Sequence, residues 1–133
     1  MKYEVIDNFL DEEYFENLAT LFTGSSNVPA RINKTKDQIS KTYVPWFFTP
    51  DITESTLVED NLFYMVHMFY ESNMPTSPHY DILIPLLEKL DAKCLIRIKG
   101  NLYPNTKILH EHLMHTDYNY LHSGAILSLN TCD

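Results

Sequence analysis

The sequence predicts an α+β protein, and three observations carry that prediction. Apolar residues in the first two thirds recur every three or four positions behind capping residues, the pattern of amphipathic helices. After Ala92 the period shortens to two, the pattern of strands, so helices come first and strands last. With 133 residues, 44% of them hydrophobic, and nine Tyr and seven Phe, the chain also has the length and apolar content for one domain with a packed core.

"YEVI" (3–6) reads as a short opening strand. In "DNFLDEEYFENLATLF" Asp11 is the expected N-cap, and Glu12 and Glu13 suit the positive end of the helix dipole. Phe15, Leu18, Ala19 and Phe22 form its buried face, and Gly24 with Ser25-Ser26-Asn27 ends it. Residues 23–42 are polar and weakly periodic, as in an exposed loop. "YVPWFFT" (43–49) is an extended or edge segment because of Pro45.

A second helix is expected after "DITES". Thr56 and Glu59 make a capping box, Val58, Leu62, Met65 and Phe69 form a stripe, and His67 off the stripe reads as a surface or satisfied histidine. "NMPTSPHY" (73–80) is a turn or loop. "DILIPLLEKLDA" (81–92) is a third helix packing Leu83, Leu86, Leu87 and Leu90, with Pro85 tolerated if it starts near Asp81. "CLIRIKGNLY" (94–103) alternates, with Cys94, Ile96, Ile98 and Leu102 on one face and Arg97, Lys99, Asn101 and Tyr103 on the other. Gly100 is a place for a bulge. "TKILHEHLMH" (106–115) and "SGAILSLN" (123–130) complete the strands.

A net charge of −8 argues against nucleic acid as a partner, since counterion release needs clustered Lys and Arg. The densest basic run, Arg31 to Lys41, contains Asp37, although a basic pocket within an acidic whole stays compatible with the total. Cys94 and Cys132 are far apart and match no CxxC spacing. "MKYEVIDNFL" lacks the apolar core of a signal peptide, and no apolar run is long enough to span a bilayer. The expected setting is the cytoplasm, with no membrane partner.

The chemistry concentrates in "HEHLMHTDYNY" (110–120). On a strand, residues two apart point the same way, so His115 and Asp117 could grip one ion. His110 and His112 have the opposite parity and would join only if the chain bulged between Leu113 and Met114. Six His and nine Asp in 133 residues lead to about 0.4 His-x-Asp pairs by chance. Taken alone, the motif reads as two polar residues at a strand end.

Its surroundings say more. "NLYPNTKILHEHLMHTDYNYLHSGAILSLN" resembles the first metal-binding strands of the Fe(II)- and 2-oxoglutarate-dependent oxygenases, most closely the small prolyl-hydroxylase-like and phage-type members. The resemblance rests on Asn101-Leu102-Tyr103, His115-Thr116-Asp117 and the apolar "AILSLN" in that order, and "YEVIDNFLDEEYFENLATLF" is similar to the family's strand and supporting helix. It implies a double-stranded β-helix, or jelly-roll, with helices packed outside. It also implies a metal centre in which His115 and Asp117 are two of the three ligands of an Fe(II) facial triad. Asn101 and Tyr103 would reach 2-oxoglutarate, which is decarboxylated to succinate and carbon dioxide as the substrate is hydroxylated. One tension is that Asn101 and Tyr103 share a face with Arg97 and Lys99, in a simple reading the solvent side.

The pattern is also incomplete. The family places a second histidine and a 2-oxoglutarate-binding Arg or Lys on later strands. Here His122 is the only histidine after Asp117, no Arg follows Arg97 and no Lys follows Lys107. The expectation is therefore an N-terminal part of an oxygenase, an enzyme in its full-length form, with a half barrel that favours dimerisation or a partner chain completing it. The alternatives are a catalytically inactive jelly-roll-like interaction domain and a small binding module stapled by zinc. In the latter, His110, His112 and His115 would act with Asp117 or Glu111, although structural zinc usually recruits thiolate. Tyr118 and Tyr120 are either core aromatics or the lining of a substrate mouth. The substrate class stays open between a prolyl residue of a protein and a small molecule.

Overall fold

A computed structural model of the chain describes residues 3–24, 44–50, 63–105, 107 and 115–130. It is a mixed α+β structure that divides into two compact units, one of residues 1–44, 78–94 and 127–133, the other of 45–77 and 95–126.

The first unit is helical. Helix α1 (Glu12–Thr23) starts where Asp11 Oδ1 accepts the backbone N–H of Tyr14 at 2.9 Å. It ends at Gly24, whose φ of 79° favours glycine and whose N–H reaches Thr20 O at 2.9 Å. Leu18 is fully buried and Phe15, Ala19 and Phe22 partly so, which is the face expected from their spacing. The third predicted helix forms in two pieces, a 3-10 turn (Tyr80–Leu83) running into α2 (Ile84–Lys89). Pro85 falls at the start of α2, where a missing N–H is harmless. Leu83 is buried, and Tyr14 donates its hydroxyl to Ile82 O at 2.6 Å, tying α1 to the 3-10 turn.

The end of α2 is closed by two backbone bonds, Ala92 N–H to Leu87 O at 3.1 Å and Asp91 N–H to Glu88 O at 3.0 Å. This is the Schellman arrangement, with Asp91 at φ 53° in the left-handed position that glycine usually fills. The opening strand expected at 3–6 is not formed. Among the described residues they pair with no strand, and Val5 is 76% exposed.

The second unit is an antiparallel sheet of β1 (Phe47–Thr49), β2 (Tyr64–Glu71), β3 (Met74–Pro75) and β4 (Ile98–Leu102). Strand β2 is central. One edge pairs with β1 (Phe47 opposite Val66) and β3 (Tyr70 opposite Pro75), and the other pairs with β4 from Met65–Leu102 to Tyr70–Ile98.

Residues 64–71, expected as the end of the second helix, are thus a strand. The Met65–Phe69 spacing of four suits a strand as well as a helix, because four is an even number, and the aromatic and β-branched run "FYMVHMFY" favours the strand. Thr56, Val58, Glu59 and Leu62 lie outside the described residues. A two-residue turn joins β2 to β3, with Ser72 and Asn73 both left-handed at φ 52° and 62°, as a mirror-image hairpin turn requires. "NMPTSPHY" therefore opens as a hairpin arm before becoming loop.

The period-two reading of 94–103 holds from Ile98 to Leu102 only, and exposed Cys94 lies outside the strand. The register shift falls between Met68 and Tyr70 of β2, opposite β4, and not at Gly100. Residues 123–130, expected as a strand, form none, and Ile126 is 97% exposed. Strands thus interleave with helices along the chain, contrary to the predicted order.

His67 locks the crowded edge of β2. Its Nδ1 lies 2.7 Å from Pro45 O, so that nitrogen carries the proton, and its Nε2 accepts from Ser77 Oγ at 2.7 Å. The ring bridges the segment entering β1 and the segment leaving β3. It is 4% exposed, a satisfied core histidine and not a surface one. Buried Phe69 meets it edge-on, with ring centroids 4.6 Å apart.

Candidate metal centre

Directly opposed residues share a sheet face, so Lys99 and Asn101 of β4 lie with Met68 and Val66 of β2. Arg97 and Tyr103, one residue beyond either end of β4, extend the row. Tyr103 is 51% exposed, and its ring stacks on Tyr64 with centroids 5.5 Å apart. Asn101 Nδ2 donates to Tyr103 Oη at 3.4 Å. Burial raises the Tyr103 pKa above 10.0, and nearby Tyr64 and Asp117 add to the rise, while the Asn101 hydrogen bond opposes it. Tyr103 also lines an open apolar groove with Phe63, Met65, Leu102 and Pro104.

The loop 115–122 lies against this row. Arg97 donates from its guanidinium to Asp117 Oδ2, and Lys99 Nζ stands 3.9 Å from the same oxygen. The guanidinium carbon also sits 5.2 Å from the centroid of Tyr118, a cation–π contact. Asp117 Oδ1 faces His115 Nε2 at 3.6 Å. The two oxygens of one carboxylate thus have separate duties, Oδ2 toward the cations and Oδ1 toward the imidazole.

His115 and Asp117 come together as the motif suggested, though not for the reason of strand parity. Neither residue is in a strand. Asp117 sits in a bend and is drawn to the sheet by Arg97, twenty residues away in sequence.

Imidazole nitrogen and carboxylate oxygen are the donor types that suit Fe(II). Metal–donor bonds of about 2.1 Å put donors at right angles about 3 Å apart, so a small shift from 3.6 Å closes both onto one ion. These two residues fit a metal. Among the described residues no group of three or more His, Cys, Asp or Glu is gathered that could hold one alone. His110, Glu111 and His112, the further donors of the zinc alternative, lie outside the described residues.

Arg97 and Lys99 are the site residues that sequence reasoning missed. Their alternation with Asn101 and Tyr103 was the available signal, but it reads as a solvent face until Asp117 is known to dock there. Both side chains are about three quarters covered, at 23% and 27% exposure. Tyr118 packs on Tyr120 and His122, with centroids 5.2 and 5.4 Å away, and Tyr120 is 52% exposed. With Tyr118 only half-buried and Tyr120 exposed, the cluster is not core.

No helix among the described residues is long and apolar enough to cross a membrane. No family model, curated protein or solved structure matches the chain.

Proposed function

We propose that the chain carries part of the active site of an Fe(II)- and 2-oxoglutarate-dependent oxygenase, with His115 and Asp117 as two metal ligands and Asn101 and Tyr103 beside the co-substrate. The barrel implied by this reading is a double-stranded β-helix, of which the four-stranded sheet would be a part. One observation carries the proposal. The Asn-x-Tyr and His-x-Asp pairs, separated by eleven residues in sequence, lie at one row of β4, since Asp117 is held by Arg97 and stands 3.9 Å from Lys99, the residues that alternate with Asn101 and Tyr103.

Iron bound there would supply the oxidising chemistry, coupled to decarboxylation of 2-oxoglutarate. The chain's own residues prepare the place. Arg97 fixes Oδ2 of Asp117 and so turns Oδ1 toward His115, the second contact that ligating carboxylates commonly have. Asn101 holds Tyr103 through its hydroxyl, and Tyr64 supports the ring by stacking. With its pKa raised, Tyr103 stays a neutral phenol at pH 7 and can donate to a carboxylate oxygen. The half-buried ring of Tyr118 and the exposed ring of Tyr120 would offer an apolar approach for substrate.

Succinate formation from 2-oxoglutarate tests the reading. Turnover that requires Fe(II) and is lost in both His115→Ala and Asp117→Ala supports it. Succinate formation indifferent to both substitutions contradicts it, as does a folded chain with no Fe(II)-dependent turnover when supplied with any segment that completes the site.

A further inference from the structure

A second cluster with chemical potential uses no residue of the metal centre. Ser77 Oγ donates to His67 Nε2 at 2.7 Å, and His67 Nδ1 donates to Pro45 O at 2.7 Å. A hydroxyl, a base within hydrogen-bond reach and a third group that orients the base are the parts of an activated nucleophile. We propose that Ser77 is a nucleophile with His67 as its general base, and that it takes a short acyl group from an activated ester.

The partners fix the tautomer. A carbonyl oxygen only accepts, so Nδ1 carries the proton and Nε2 turns its lone pair to the Ser77 hydroxyl. That is the form a general base needs. Two rings hold the imidazole in place, Phe69 edge-on with centroids 4.6 Å apart and Phe47 stacked at 6.4 Å with planes 18° apart. Proton transfer therefore requires no turn of the imidazole. Ser77 is 8% exposed and sits in a bend between exposed Thr76 and exposed Pro78, one residue beneath the surface. Local opening of that bend admits a small acyl donor and shuts out a bulky one.

The atoms balance as follows. Ser77 Oγ attacks the carbonyl carbon while its proton passes to His67 Nε2, and an Oγ–C bond forms. The bond from that carbon to the leaving group breaks, and the leaving group carries off the electron pair. It also takes the proton from Nε2 if it is basic enough, and otherwise the proton goes to water. Pro45 supplies a neutral carbonyl where a carboxylate would offset more of the imidazolium charge. The pair therefore suits aryl esters and thioesters, whose leaving groups depart readily, and not amides. Acylation also removes the proton that Ser77 gives to His67, so one of the two hydrogen bonds bridging the segments around β1 and β3 is lost.

Treatment of the full chain with p-nitrophenyl acetate, with the acetyl group located by peptide mass spectrometry, tests the proposal. Ser77 is acetylated at least about 100-fold faster than Ser72, an exposed serine of the hairpin turn, within the range that a general base supplies. Ser77→Ala abolishes that label. His67→Gln keeps a donor and an acceptor but no base, and it slows the label by a similar factor. A thermal midpoint near that of the wild type verifies its folding. If His67→Gln unfolds, the wild-type rate in D2O replaces it, since transfer of a proton to the base slows the reaction there. A chain with no acetyl group on Ser77, or with Ser77 labelled no faster than Ser72, overturns the proposal. So does a folded His67→Gln chain labelled at the wild-type rate, or a wild-type rate unchanged in D2O.

Discussion

His67 and His115 belong to the same sheet-bearing unit and occupy opposite kinds of surroundings. The ring of His67 is 4% exposed, with one nitrogen on Pro45 O and the other on Ser77 Oγ, both at 2.7 Å. The side chain of His115 is 57% exposed, and its Nε2 faces a carboxylate oxygen at 3.6 Å, a gap an ion can close. The first uses imidazole as a two-headed bracket between segments flanking β1 and β3. The second presents it beside a carboxylate whose far oxygen is held by Arg97. A histidine's role follows from what its two nitrogens meet, and the type of residue or its place in a motif does not determine it.

The contrast is broken most severely at His67. His67→Ala removes a hydrogen-bonding partner from Pro45 O and from Ser77 and opens a cavity beside Phe69, at an expected cost of about 2–4 kcal/mol in chemical denaturation. His115→Ala, at an exposed loop position, stays within about 0.5 kcal/mol of wild type in the same experiment. Equal losses at both positions would erase the distinction between the buried bracket and the exposed, proposed ligand.

A smaller effect of opposite sign is expected in the helical unit. Asp91 occupies a left-handed helix end at φ 53°, so Asp91→Gly should stabilise by about 0.5–1 kcal/mol. The exposed ion pair it forfeits with Lys93 offsets little of that gain. Denaturation of this variant calibrates the scale on which the His67 loss is judged, and a destabilised variant would show that Asp91 has a role beyond the cap.

Smallest is the response of Tyr103 to pH. Its pKa is raised by burial and by nearby Tyr64 and Asp117, so the folded chain favours the neutral phenol. That contribution is complete below the ordinary value of 10.0 and fades as pH climbs through the higher folded value. In a spectrophotometric titration, Tyr103→Phe removes a late-ionising tyrosine. Asn101→Leu moves the same tyrosine later still, because the Asn101 hydrogen bond opposes the rise. A change toward earlier ionisation would contradict the assigned causes.

Local signals were legible in the sequence, and long-range ones were not. Helix α1 follows from a cap, a dipole-matched first turn and a 3.6-residue stripe, all within a dozen neighbouring positions. Strand β2 is ambiguous in sequence because Met65 and Phe69 satisfy both periods, and its pairing with Ile98–Leu102 lies some thirty residues away. The expected strand at 123–130 rested on apolar content alone, which cannot supply a pairing partner. His115 and Asp117 were legible as a pair, although the bend that brings them together is set by Arg97 and not by strand alternation. Arg97 and Lys99 stood in the same alternating row as Asn101 and Tyr103. Nothing local revealed that a carboxylate twenty residues on would dock there.

The central claim is that His115 and Asp117 form a metal pair, and anaerobic Fe(II) titration of the full chain tests it most directly. One equivalent should bind to the wild type. His115→Ala and Asp117→Ala should each weaken binding by at least about tenfold, and Arg97→Leu should weaken it within the range of about 10- to 100-fold seen when a contact behind a ligand is lost. Fe(II) binding of unchanged affinity in folded His115→Ala and Asp117→Ala chains would contradict the account.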